Sequence, residues 1–210
     1  GSDGKMLQRY NEIATEIRGP LQSVLYFNHN NFSKFWDGVL YDGSFLEFYG
    51  ETRPHKKWIF QLAAIVGDEV DLANSRLADE VNVAFWLQYK PSDHLTMSTD
   101  FAWNELKYKG QRILTALVND FRATYQFNLK HRLQLTLQYQ SVDRNPAMYD
   151  NPVPETHNDL ASRLVYSYKI NPRTVFYAGY SDHAIDNDEL SSLTRTDRTA
   201  FVKCSYGFDF

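Results

Sequence analysis

Charged and amide side chains recur at every second residue through the second half of the chain, on the parity opposite to its apolar residues. Asp120, Arg122, Gln134, Gln138, Arg163, Lys169 and Lys203 all belong to this set. In an extended strand, alternate residues point to opposite faces, so these seven share a polar face. Mixed-sign charges projecting into a water-filled passage set its selectivity through the local field. The same residues can instead pair across strands and fill the interior of a narrow barrel. Lumen-facing residues are therefore expected here, and the sequence leaves open whether they line a channel or plug it.

Other groups point to chemistry more weakly. Asp182, His183, Asp186, Asp188 and Glu189 crowd one expected loop, and Asp150, Glu155, His157 and Asp159 crowd the preceding one. Oxygen-rich loops of this kind can hold Ca²⁺, but the spacing matches no twelve-residue cation loop, so solvated acidic loops are expected. Asp182 and His183 are the pair to test for a hydrolytic site at the barrel rim. General acid–base chemistry needs two groups within hydrogen-bond reach, which adjacent residues on one loop do not supply. His94 and His131 lie by turns at the opposite rim, and no Gly-x-Ser-x-Gly run is present. No catalytic residue, metal ligand or cofactor is assigned from the sequence.

The elements that would position these residues are strands. Ten are expected, near 20–30, 43–51, 56–66, 80–90, 94–107, 112–127, 131–142, 159–170, 173–182 and 196–210. Leu133, Leu135, Leu137 and Tyr139 alternate with Gln134, Thr136, Gln138 and Gln140. Two long strands carry alternating tracts that exceed the five or six residues usual in globular sheets. A strand tilted by about 45° needs about 9–11 residues to cross the hydrocarbon of a bilayer. Tight connections near 52–55, 91–93, 128–130 and 171–172 alternate with longer ones near 31–42, 67–79, 108–111, 143–158 and 183–195. That asymmetry suits a membrane barrel with short turns on one side. Residues 1–19 are expected to be a separate periplasmic segment or linker, with a short helix over 4–18 striped by Leu7, Tyr10, Ala14 and Ile17. The barrel domain would then span 20–210.

Composition agrees. The 210 residues carry a formal charge of -4 with a pI near 5.9, which gives no basic footprint for nucleic acid. Aromatics reach 15%, and the mean hydropathy is -0.50 with no uninterrupted apolar run of helix-spanning length. Strands that show only alternate residues to lipid need no such run. Trp58, Trp103, Tyr139, Tyr168, Tyr180, Phe208 and Phe210 are placed by phase in an aromatic belt at the membrane interfaces, in preference to a sugar-binding role. The single cysteine, Cys204, excludes an intrachain disulfide and reads as a small apolar residue.

The last residues strengthen this reading by resemblance. Lys203, Ser205, Phe208 and Phe210 are similar to the C-terminal signal recognised by the barrel-assembly machinery, with serine where glycine is usual. A wider resemblance rests on Lys57-Trp58-Ile59-Phe60, Gly67-Asp68 and Asp71-Leu72-Ala73-Asn74. It continues through Tyr125-Gln126-Phe127-Asn128, Gln138-Tyr139-Gln140, the run from Leu164 to Pro172, Ala178 to Asp182, and Phe201 to Tyr206. From about Phe35 onward the chain resembles a family of Gram-negative outer-membrane proteins of unassigned function. Members join an N-terminal β-sandwich like a carbohydrate-binding module to a C-terminal barrel. The resemblance implies an all-β, antiparallel up-and-down transmembrane β-barrel, present as a whole or as the C-terminal part of a larger one. It implies residence in the outer membrane and contact with its lipid. Beside it, the leading functional expectation is a non-enzymatic pore or translocator for small solutes, carbohydrate-related ones included, or for surface display. A rim-site hydrolase and a soluble sandwich or ligand-binding barrel stand as alternatives.

Overall fold

Alternation of apolar and polar residues carries through into one uninterrupted meander. In the computed structural model, which describes residues 7–190 and 192–207, eleven strands lie in sequence order in a single antiparallel sheet. They are β1 (Gln8–Gly19), β2 (Ser23–Trp36), β3 (Val39–His55), β4 (Trp58–Asp71), β5 (Arg76–Tyr89) and β6 (Leu95–Tyr108). The rest are β7 (Gln111–Gln126), β8 (His131–Arg144), β9 (Thr156–Asn171), β10 (Thr174–Asn187) and β11 (Thr194–Tyr206). A 3₁₀ turn at Pro146–Met148, capped by Asn145, is the one helical element among the described residues. The sheet is not closed: β1 and β11 form its two edges.

The all-β, up-and-down architecture is as expected, but three details differ. First, residues 8–19 are not a helix or a separate segment; they are β1, paired along its whole length with β2. Ile13 and Ile17, four apart, fit one helix face and equally one strand face, and β-branched side chains favour the strand. The sheet therefore begins before residue 20 and has eleven strands instead of ten. Second, the stretch 31–42 is not a long loop. β2 and β3 continue through it to a two-residue turn at Asp37 and Gly38, both with positive φ (46° and 81°). Asp-Gly is the sequence of a type I′ hairpin turn, whose twist matches that of the strands. Third, 67–79 likewise shortens to a turn at residues 72–75 between β4 and β5. Asn-, Asp- and Ser-rich strand extensions read as loops because their polarity hides their pairing. Among the described residues, the long connections are 145–155, between β8 and β9, and the one that follows Asn187 before β11.

Directly paired residues share a face, so the register sorts the sheet into two surfaces. One is apolar. Phe60 pairs with Leu87, Leu62 with Phe85 and Ala64 with Val83. Phe85 then pairs with Phe101, and their rings stack at 5.0 Å. Farther along, Leu135 pairs with Ala123 and Leu164, and Ala178 pairs with Tyr166 and Val202. On β5 this band runs from Val81 to Tyr89, about nine residues, the length that a tilted strand needs to cross a bilayer. Its large side chains are exposed: Leu46 at 60%, Val66 at 50% and Val202 at 71%. The few polar residues within it satisfy one another, as where Asn119 Nδ2 donates to Thr99 Oγ1 at 3.0 Å.

The opposite surface is polar and crowded. Asn28, Asn30, Thr136 and Ser167 are buried on it. The Phe32 and Phe201 rings lie over Gly43 and Gly179, directly across the strand pairs, where a Cβ would meet the ring at 2.6 and 2.5 Å. Crowding of side chains on one face is what a sheet curved toward that face produces.

The two rims differ. At the tight-turn rim aromatics gather on the apolar face: Trp58 stacks on Tyr89 at 3.9 Å and His131 on Tyr168 at 4.6 Å. Tyr125 meets Phe127 edge-on at 4.8 Å. At the loop rim the same face turns polar, with Asp68 opposite Asp79 and Thr115 opposite Asp143.

Candidate functional site

All seven residues expected to face a lumen lie on the polar surface. The register pairs Asp120 with Gln138, Arg122 and Arg163 with Thr136, and Gln134 with Thr124. Lys169 pairs with Val175 and Lys203 with Tyr177 on the same side. They are dispersed over four strands, β7, β8, β9 and β11, and do not converge on one point. Gln138 Nε2 donates to Asp120 Oδ2 at 2.8 Å, and Arg122 approaches Asp120 at 3.8 Å. Of the assembly-signal residues, Lys203 and Ser205 alternate with Cys204 on β11, whereas Phe208 and Phe210 lie outside the described residues. The belt residues Trp58, Trp103, Tyr139, Tyr168 and Tyr180 are all on the apolar face.

A continuous polar row crosses the middle of the inner surface, through Glu51, Gln61, Trp86, Asp100, Asp120 and Gln138 as successive partners. Beside it run Ala63, Ala84, Ala102 and Val118, also successive partners, whose small side chains leave an open cavity of about 250 Å³. Carboxylates directly opposite each other, as at Asp100 and Asp120, repel, so the fold alone does not favour them.

At the loop rim the connection between β8 and β9 folds back over this polar surface. Its Met148 and Tyr149 pack on a cluster of Ala78, Leu106 and Ile113, the last fully buried. Arg76 is the clamp. Its Nε meets Asp71 Oδ2 at 3.0 Å, an Nη donates to the Met148 carbonyl at 2.6 Å, and the guanidinium lies 4.6 Å from the Tyr108 ring centroid. The Asp150 N–H reaches Asn74 Oδ1 at 3.2 Å, so the strap spans from β8 back to the β4–β5 turn. None of this was singled out from sequence. Pro146, Pro152 and Pro154 announced a stiff connection but not where it would lie.

Most of the residues expected in two acidic loops lie on strands instead, His157 and Asp159 on β9 and Asp182, His183 and Asp186 on β10, because β9 and β10 extend past their apolar tracts. Asp188 accepts the backbone N–H groups of Glu155 and Thr156 at 2.6 and 2.7 Å and the Thr156 hydroxyl at 2.8 Å, tying the two long connections together. The Thr156 N–H above all holds the Asp188 carboxyl below the usual carboxylate range. No grouping of three His, Cys, Asp or Glu suited to a metal occurs among the described residues.

Asp182 and His183 do not form a pair. Asp182 lies on the apolar-side parity, where it accepts from Tyr180 Oη at 2.9 Å and Arg195 Nε at 2.8 Å. His183 faces the polar side, with Asp159 Oδ1 at 2.9 Å from Nε2 and Thr196 Oγ1 at 2.7 Å from Nδ1.

No family model matches the chain, and no curated protein sequence does. Among solved structures it is similar to a loop L8 deletion mutant of OmpT, an outer membrane protein of Vibrio cholerae. Identity is 13% with a TM-score of 0.48, covering 88% of this chain and 62% of that one. In-vitro folded OmpT gives 14%, 0.46, 88% and 63%. The chain thus spans less than two thirds of the length of these structures.

Proposed function

We propose that this chain forms part of the wall of an outer-membrane β-barrel that passes small hydrophilic solutes. The observation that carries the reading is the division of one sheet into an exposed apolar band of bilayer height and a polar, charged surface. Exposed side chains such as Leu46, Val66 and Val202 belong against lipid, and backbone within lipid must be paired inside the protein. The open edges at β1 and β11 then require completion by further strands. Eleven is odd, so β1 and β11 run in the same direction, and antiparallel closure takes an odd number of additional strands. Outer-membrane lipid is the partner of the apolar face. The end of β11 is the element handed to the assembly machinery, as the resemblance at Lys203, Ser205, Phe208 and Phe210 implies.

Within that barrel the polar row faces water, and the strap across Ala78 and Leu106 narrows the loop-side mouth. Carbohydrate-related solutes are the class we favour, because Trp86 beside Gln61 and Asp100 offers a ring with polar neighbours to them. Planar-bilayer recording of the full-length protein tests the reading. Discrete conductance steps, altered when Arg76→Met frees the strap, are expected. A protein folded in lipid that never conducts or admits solutes overturns the pore.

A further inference from the structure

We propose that Asp159, His183 and Thr196 form an acyl-transfer centre on the polar wall, with Thr196 as nucleophile and a short-chain acyl ester as substrate. This goes beyond the pore and depends on that reading only in placing the polar face in water. Three strands contribute one residue each: Asp159 from β9, His183 from β10 and Thr196 from β11. Asp159 Oδ1 stands 2.9 Å from His183 Nε2, and Thr196 Oγ1 stands 2.7 Å from His183 Nδ1. A carboxylate accepts, so Nε2 carries the proton and Nδ1 is left as the acceptor for the Thr196 hydroxyl. Carboxylate, imidazole and hydroxyl thus stand in the order that activates an alcohol: an orienting group, a base, a nucleophile.

The backbone supplies a second, independent observation. The β10–β11 register shifts between His183 and Ala184: His183 faces Asp197, and Ala184 faces Arg195. Thr196 is the extra residue between them. A bulge breaks strict alternation and re-aims one side chain, a device found beside active sites. Here it turns the Thr196 hydroxyl onto the imidazole. An open cavity of about 220 Å³ adjoins His183, with Arg163, Gln138, Asp182 and Asp197 also in its lining. Its size suits a short acyl group, and Arg163 is the one cation among the described residues of its lining.

The chemistry balances with water as the only co-reactant. As Thr196 Oγ bonds to the ester carbonyl carbon, its proton passes to His183 Nδ1. The bond from that carbon to the leaving oxygen then breaks, and this oxygen takes the proton from Nδ1 and departs as an alcohol. Water attacks the acyl-threonine, giving its proton to Nδ1. The Thr196 oxygen leaves, recovers that proton, and a carboxylic acid is released. Asp159, and Asp197 opposite His183, stabilise the imidazolium in each half.

The test uses the full-length protein in detergent micelles, with folding followed by heat-modifiable mobility. It is exposed to 4-nitrophenyl acetate and to a fluorophosphonate probe. Expected are saturable ester turnover and a probe adduct on the Thr196 peptide by mass spectrometry. Thr196→Val, nearly isosteric, and His183→Gln should each reduce both by about 10²-fold or more. Thr196→Ser should keep them. Folded wild-type protein that turns over ester no faster than Thr196→Val, or whose adduct lies elsewhere, overturns the centre. Conductance measured on the same preparation separates that failure from failure of the pore.

Discussion

The two surfaces of this sheet are made by the same strands, yet they are organised by different rules. On the apolar face the register repeats one theme from β3 to β9, and neighbours can be exchanged for one another with little consequence: Leu62 beside Phe85, Leu135 beside Leu164. On the polar face each region is particular. A row of carboxylates and amides crosses the middle, an apolar island of Ala78, Leu106 and Ile113 sits under the strap, and a relay of Asp159, His183 and Thr196 spans β9 to β11. A fluid apolar surround asks only for the right polarity, whereas a face that meets water, ligand and a folded loop specifies individual side chains.

Adjacent positions on β8 give the sharpest way to break that contrast. Leu135→Arg puts a charge in the middle of the apolar band and should cost about 2–4 kcal/mol when folding into liposomes is measured by urea titration. Gln134→Arg, one residue away on the polar face, should change it by about 0.5 kcal/mol or less. Equal costs at the two positions would abolish the assignment of faces. Next in size is the island under the strap. Ile113→Ala removes a fully buried side chain, and the loss should be about 2 kcal/mol in the same titration. The low end of the range for such truncations applies because Met148 and Tyr149, on a connection, can settle into the space.

Alternation made the strands legible. Leu133 to Gln140 announces both its faces without help from any other segment. What stayed hidden was set by pairing between segments remote in sequence. β1 looked helical because Ile13 and Ile17 suit either periodicity, and only β2 decides between them. The Asp37-Gly38 turn was legible in principle but lay inside a polar stretch that suggested a loop. At the candidate site, His183 is visible in the sequence as a group of interest, but the carboxylate beside it in sequence is not the one beside it in space. Asp182 is adjacent in sequence and points away, while Asp159 is 24 residues distant and one strand over. Thr196 carried no signal, because its position comes from a register shift that no single strand encodes.

The smaller effects belong to the polar face's loop rim. Arg76→Met retains the stem of the side chain and removes the bonds to Asp71 and to the Met148 carbonyl. Asp71 keeps Asn74 Nδ2 at 2.7 Å and the Ala73 N–H at 3.2 Å, so the expected loss is about 1 kcal/mol rather than that of an abandoned buried charge. Faster amide exchange confined to residues 145–155 would locate the effect in the strap, and unchanged exchange there would show that Arg76 does not hold it.

The mildest effect is one of pH. Three hydrogen bonds to Asp188 favour its ionised form, so its carboxyl titrates lower in the folded protein than in the unfolded chain. Such a group contributes stability that is fully present above the unfolded value, about 3.9, and is lost as pH falls through the folded one. The tie between the two long connections should therefore hold unchanged from neutral pH down to about 4, then weaken as the pH drops further. Cleavage of residues 145–155 by an acid-active protease should rise over that interval in wild-type protein. Asp188→Asn, which keeps the shape but never ionises, should already show the raised cleavage at pH 5 and gain little on further acidification. A variant that titrates as wild type would place the acid sensitivity elsewhere.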